Sequence, residues 1–151
     1  MRRKIDVREQ VDEPYWRVTA VLGLDADAVI SPAMHEVRLA IGGTELSRKV
    51  QCDVGERVRE EHCTRVPLRW HAETHAHWFP TVEAVLELAP LGASATGLRL
   101  RGDYEPPLGA VGAVGDVVVG HVVADHALRE FVTSVAQRLT DAVAAHTLTP
   151  R

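Results

Sequence analysis

The chain has 151 residues, enough for one domain with a proper core, and its 46% hydrophobic and 25% charged content is that of a soluble globular protein. Seventeen basic residues against twenty-one acidic ones leave a formal net charge of -4, which excludes a general nucleic-acid or anionic-membrane surface, because either needs a basic stripe. No apolar run reaches the ~18 residues of a membrane span, and Ile5-Asp6-Val7-Arg8 alternates where a signal peptide would be continuously apolar. The expected location is the cytoplasm. There, Cys52 and Cys63 are expected to be two buried free thiols rather than a disulfide.

Ile5, Val7 and Val11 share one parity, opposite Lys4, Asp6, Arg8 and Gln10, and predict a half-buried strand over 3–11. Asp12-Glu13-Pro14 reads as a helix start, with acidic groups at the positive end and proline in the first turn. That helix carries Tyr15, Val18, Val21 and Leu22 and stops near Gly23, with a strand over Trp16–Leu22 as the alternative that the β-branched content leaves open. Asp25 and Asp27 cap a second short helix through Ile30, which Ser31-Pro32 interrupts.

Alternating strands follow. Val37, Leu39 and Ile41 lead into a Gly42-Gly43 turn, and Leu46, Val50, Cys52 and Val54 share the next strand's inner parity up to Gly55. The charged stretch Val58–Val66 predicts a weaker strand that lies at a solvated edge or curls strongly. Leu68–Phe79 places Trp70, Ala72, Thr74, Ala76 and Trp78 on one parity, and Pro80 breaks it. Val82, Ala84, Leu86 and Leu88 form another strand, with Pro90-Leu91-Gly92 as its turn. The last strand sets Leu98, Leu100, Gly102 and Tyr104 opposite Arg99, Arg101 and Asp103.

Pro106-Pro107-Leu108-Gly109 ends that strand, because proline removes ladder donors and fixes a turn. About 37 residues then read as one helix, with Val114, Val118, Val122, Leu128, Val132, Val135, Leu139 and Val143 as its apolar stripe. The order is strand, two short helices, six successive strands and a long helix. This is an α+β pattern: an antiparallel meander with one apolar face, covered by the helix.

Pro67-Leu68-Arg69-Trp70-His71-Ala72, Phe79-Pro80, Leu86-Glu87-Leu88, Leu98-Arg99-Leu100, Tyr104-Glu105-Pro106-Pro107-Leu108-Gly109, Asp116, His121 and Val123-Ala124 resemble bacterial helix-grip proteins of the SRPBCC superfamily. That superfamily joins START lipid-transfer domains, plant pollen-allergen-like proteins and polyketide cyclases. The resemblance is densest from Pro67 to Val132. It implies a seven-stranded antiparallel sheet curved round the long helix, with an apolar cavity between them. It implies no single activity, since fold does not fix function.

Three groups of residues are candidates for chemistry. His71, Glu73, His75 and His77 share one parity, and residues two apart on a strand lie roughly 6.5–7 Å apart, within reach of one zinc ion. The core side belongs to Trp70 and its neighbours, however, so the histidine row is expected to face solvent and hold no metal. His121 and Asp125, one helical turn apart, form a carboxylate–imidazole pair of the kind general-base catalysis uses, flanked by His126 and Arg129. No motif ties a serine or cysteine nucleophile to that pair.

The third group lines the expected cavity. Trp70, Thr74, Trp78, Leu86, Leu100 and Tyr104 fall on the concave face, and Val118, His121, Val122 and Asp125 lie opposite on the helix. Small Ala72, Ala76, Ala84 and Gly102 are read as leaving room between the aromatic walls. Gly109, Gly112, Gly115 and Gly120 lack the lysine and serine or threonine of a phosphate loop, and no cofactor is implied. The leading expectation is a binder of a small hydrophobic ligand. The alternatives are a cyclase- or dehydratase-type enzyme using the same cavity, and an interaction protein whose strand edge or helix face pairs with another chain, a homodimer included.

Overall fold

The computed structural model describes the backbone of residues 3–33, 36–41, 44–72, 81–104 and 114–146, with side chains over 4–33, 49–71, 81–104 and 126–146. Strand β1 (Arg3–Val11) is followed by α1 (Tyr15–Leu24), α2 (Ala26–Ile30) and a 3-10 turn at Ser31–Ala33. Then come β2 (Glu36–Ile41), β3 (Thr44–Val54), β4 (Val58–Arg59), β5 (Thr64–Ala72), β6 (Val82–Leu91), β7 (Ala95–Tyr104) and the long α3 (Val114–Ala145). The strands form one antiparallel sheet in the order β1-β7-β6-β5-β3-β2, with the two-residue β4 pairing beside β5. The seven strands and the long helix match the α+β expectation.

The main correction lies in the middle of the sheet. The charged stretch is not a strand from Val58 to Val66. It is a two-residue bridge, and β5 begins at Thr64 and runs straight through Pro67. In a strand the N and O of one residue point to the same side, and Pro67 O accepts from Gly55 N at 2.8 Å. The missing N–H of Pro67 therefore faces the gap between β3, whose pairing with β5 ends at Leu68, and β4, whose pairing begins at Arg65. No ladder donor is lost there, so proline is tolerated inside the strand.

Three smaller corrections concern other expectations. Pro14 sits just outside α1 as its N-cap, not in its first turn, and its carbonyl accepts from Arg17 and Val18. Pro90 and Leu91 still belong to β6, and the turn starts at Gly92, whose φ of 70° is the left-handed conformation glycine accepts without strain. Cys52 is a buried free thiol as expected, but free Cys63 is only half-buried, with Sγ 3.7 Å from Glu60 Oε2.

Inner and outer faces separate as the alternation predicts. Rungs such as Val66–Leu86–Leu100–Val7 and Trp70–Val82–Tyr104 run across the sheet on the core side. From α3, Leu128, Phe131, Val132, Val135, Ala136, Leu139 and Val143 are buried against it and against α1 and α2. Polar pins fix the helices to the frame. Tyr15 Oη pairs with Thr64 Oγ1 at 2.8 Å, Thr96 Oγ1 donates to Glu13 O at 2.9 Å, and both threonines are buried. Arg138 donates from Nε to Val29 O at 2.9 Å and from Nη2 to Ala28 O at 3.1 Å, so α3 caps the carbonyl end of α2.

Candidate functional site

The inner face at the Tyr104 end of the sheet gathers the described part of the expected cavity wall. Trp70 on β5, Val82 on β6 and Tyr104 on β7 occupy one rung, and Leu86 and Leu100 face each other two rungs away. Trp70, Leu86, Leu100 and Tyr104 are all buried. The indole of Trp70 meets the ring of Phe131 on α3 edge-on, with centroids 4.7 Å apart and planes at 84°. Its Nε1 is buried and has no hydrogen-bond partner among the described residues.

Phe131 was absent from the expected helix stripe. The three- and four-residue spacing Leu128–Phe131–Val132–Val135 carries the signal, which a stripe of valines and leucines alone leaves out. Between the Trp70 rung and the Leu86 rung stands Leu68–Ala84–Gly102. Here the expectation of open space is corrected. A Cβ at Gly102 would fall 2.3 Å from Glu83 O and 2.7 Å from Ala84 Cα, so this glycine serves close approach of β6 and β7 rather than a void.

Several expected site residues lie outside the described residues or side chains. Thr74, Trp78, Ala76, Glu73, His75 and His77 fall in 73–80, and the side chain of Ala72 is also outside. Val118, His121, Val122 and Asp125 belong to the α3 backbone, which keeps His121 and Asp125 one turn apart, but their side chains are outside as well. His126 is exposed and lies 3.0 Å from Glu130, and Arg129 is exposed beside it. Of the histidine row, His71 takes the outer face, with Nδ1 3.5 Å from Asp53 Oδ2. Among the described residues no group of three metal-ligating side chains converges.

The outer face is a lattice of opposite charges. Arg99 grips Asp6 with two bonds, Nε to Oδ1 at 2.9 Å and Nη2 to Oδ2 at 2.8 Å, and this holds the Asp6 carboxyl below its ordinary range. Arg65 and Arg101 both approach Glu87, at 3.5 and 3.6 Å, and Arg65 also pairs with Glu60. An open groove of about 560 Å³ crosses this face over Pro67 and Val85, edged by Arg69, Arg101, Asp53, Glu83 and Asp103. Its mixed charges give no single-sign field with which to hold an ionic ligand. Charge thus sits outside and aromatic surface inside.

No family model and no curated protein matches the sequence. Solved structures do. A conserved protein from Geobacillus kaustophilus superposes with a TM-score of 0.57 at 15% identity, covering 94% of this chain and 97% of that one. The structure titled Ara h 8.0201 gives 0.55 at 8% identity, over 97% of this chain and 100% of the other. Norcoclaurine synthase from Thalictrum flavum, in complex with dopamine and hydroxybenzaldehyde, gives 0.52 at 12% identity, over 99% and 90%. The chain has the helix-grip fold. At these identities the likeness is one of architecture. In helix-grip terms, β1–β7 are the curved sheet and α3 is the gripped helix. Among the described residues, no helix is long and apolar enough to cross a membrane.

Proposed function

We propose that this protein binds a small hydrophobic or aromatic molecule between the inner face of its sheet and α3. The observation that carries this reading is the segregation of the two faces. The inner wall presents Trp70, Tyr104, Leu86 and Leu100, and among the described residues no charged side chain is buried. Such a wall binds by removing apolar surface from water, at roughly 25 cal/mol per Å² before the costs of association. The helix-grip structure of norcoclaurine synthase holding two small aromatic molecules supports the same use of the fold.

The C-terminal half of α3 is tightly packed from Leu128 to Val143. We therefore assign ligand space to the other half, and Thr74, Trp78, Val118, His121, Val122 and Asp125 are the residues that strand parity and helix spacing propose for its wall. Native mass spectrometry of freshly purified protein tests this: a co-purified apolar molecule at one per chain is expected. Mass for the bare chain alone, together with no uptake of an apolar fluorescent probe, would reject it.

The one-turn spacing of His121 and Asp125 favours a second reading, a cyclase- or dehydratase-type enzyme in which this pair moves protons. In that case His121→Ala lowers turnover of a true substrate by about 10²–10⁴-fold and leaves binding within a few fold. If His121→Ala alters only stability, the pair is structural and the carrier reading stands.

A further inference from the structure

Given a ligand between sheet and helix, as proposed above, we infer that Trp70 Nε1 donates a hydrogen bond to a neutral oxygen of that ligand. The ligand class is then an apolar body bearing a ketone, ester, ether or hydroxyl group, not a plain hydrocarbon. Trp70 is 2% exposed, and among the described residues its Nε1 is the one buried side-chain polar atom left without a partner. Native proteins satisfy nearly all such groups, so an orphan in the interior points to an acceptor that the described residues do not supply. Indole nitrogen is a donor only, which fixes the missing group as an acceptor.

The surroundings narrow it further. The register neighbours of Trp70 are Cys52 and Val82, and its ring partner is Phe131. None of these three side chains offers a strong acceptor. A buried water in place of the ligand would need roughly two to four polar partners, and these neighbours supply only the one donor. The edge-on contact with Phe131 holds the indole plane, so the donor is oriented before a ligand arrives. Among the described residues every arginine and lysine side chain is exposed or half-exposed, with no cation buried to neutralise a carboxylate or phosphate. A neutral oxygen is the acceptor this wall accommodates.

The test uses two flat probes of the same shape, 2-acetylnaphthalene and 2-isopropenylnaphthalene, which differ by an oxygen in place of a methylene. Both are titrated into the wild type and into Trp70→Phe, which keeps an aromatic ring and removes the donor. The preference for the ketone is expected to fall by about 2- to 12-fold in the variant, the range of one neutral hydrogen bond. In the wild type the Trp70 indole N–H resonance, assigned through the Overhauser contacts of its ring to Phe131, is expected to shift with the ketone and not with the alkene. This second readout decides the matter if Trp70→Phe fails to fold. Binding of both probes with an unchanged preference and a still indole resonance overturns the donor role while leaving the cavity in place. Binding of neither probe to the wild type removes the cavity reading, and this proposal with it.

Discussion

Trp70 of β5 and Phe131 of α3 meet ring-edge to ring-face, 4.7 Å between centroids, and join the sheet to the helix it curves around. Both are buried. Removing the Phe131 ring leaves a cavity beside an indole that has no other described ring partner, so Phe131→Ala is expected to destabilise by about 3–5 kcal/mol. Phe131→Leu should cost clearly less. Urea unfolding of both variants checks this, and a loss below ~1 kcal/mol for the alanine would mean the contact contributes little.

The orientation of α3 is tested separately. Leu128→Ala should cost about 2–5 kcal/mol, since Leu128 is buried, whereas Arg129→Ala on the exposed side should stay within about 0.5 kcal/mol. Reversal of that order would rotate the helix by a third of a turn.

Gly102 and Gly92 predict different responses to the same substitution. At Gly102 an added Cβ meets the backbone of β6, so Gly102→Ala must push two strands apart and is expected to cost about 1–3 kcal/mol or more. At Gly92 nothing lies within 4 Å of the added atom, but φ is 70°, so Gly92→Ala costs only the left-handed penalty of about 1–2 kcal/mol. Thermal melts with chemical shifts distinguish them: only the Gly102 variant should move the amides around Glu83 and Ala84 of β6.

Burial pushes the Cys52 thiol up from its ordinary 9.0 to about 12, with Asp53 and Asp27 adding to the effect. A thiol with a raised folded pKa stabilises the fold fully below 9.0 and loses that contribution as pH climbs toward 12. Wild type should therefore weaken over that alkaline window, and Cys52→Ala should weaken less across it. In native protein at neutral pH a thiol reagent should leave Cys52 unlabelled until the chain unfolds.

Much of this architecture is legible in residue alternation, because one face of each strand must be apolar and the other is free to be charged. Leu86 and Leu88 against Glu83 and Glu87, or Leu98 and Leu100 against Arg99 and Arg101, fix which side faces the helix. Alternation says nothing of what lies beside a strand. The strand through Pro67 read as two, Val58–Val66 and Leu68–Phe79, because the tolerance of that proline depends on a gap between β3 and β4 that exists only in three dimensions. Gly102 read as room, because a missing side chain looks the same whether it leaves space or admits a neighbouring backbone. The inward placement of Trp70, Leu86, Leu100 and Tyr104 followed from parity. The unpaired Nε1 of Trp70 did not, since a missing partner is a property of everything around a group.

The most direct test of ligand binding between sheet and helix is a set of intermolecular nuclear Overhauser effects from bound 2-isopropenylnaphthalene to assigned side chains. Contacts to the rings of Trp70 and Tyr104 are predicted, with none to Val85 and Pro67 in the outer groove. Contacts confined to Val85 and Pro67, or no contacts at saturating probe, would contradict it.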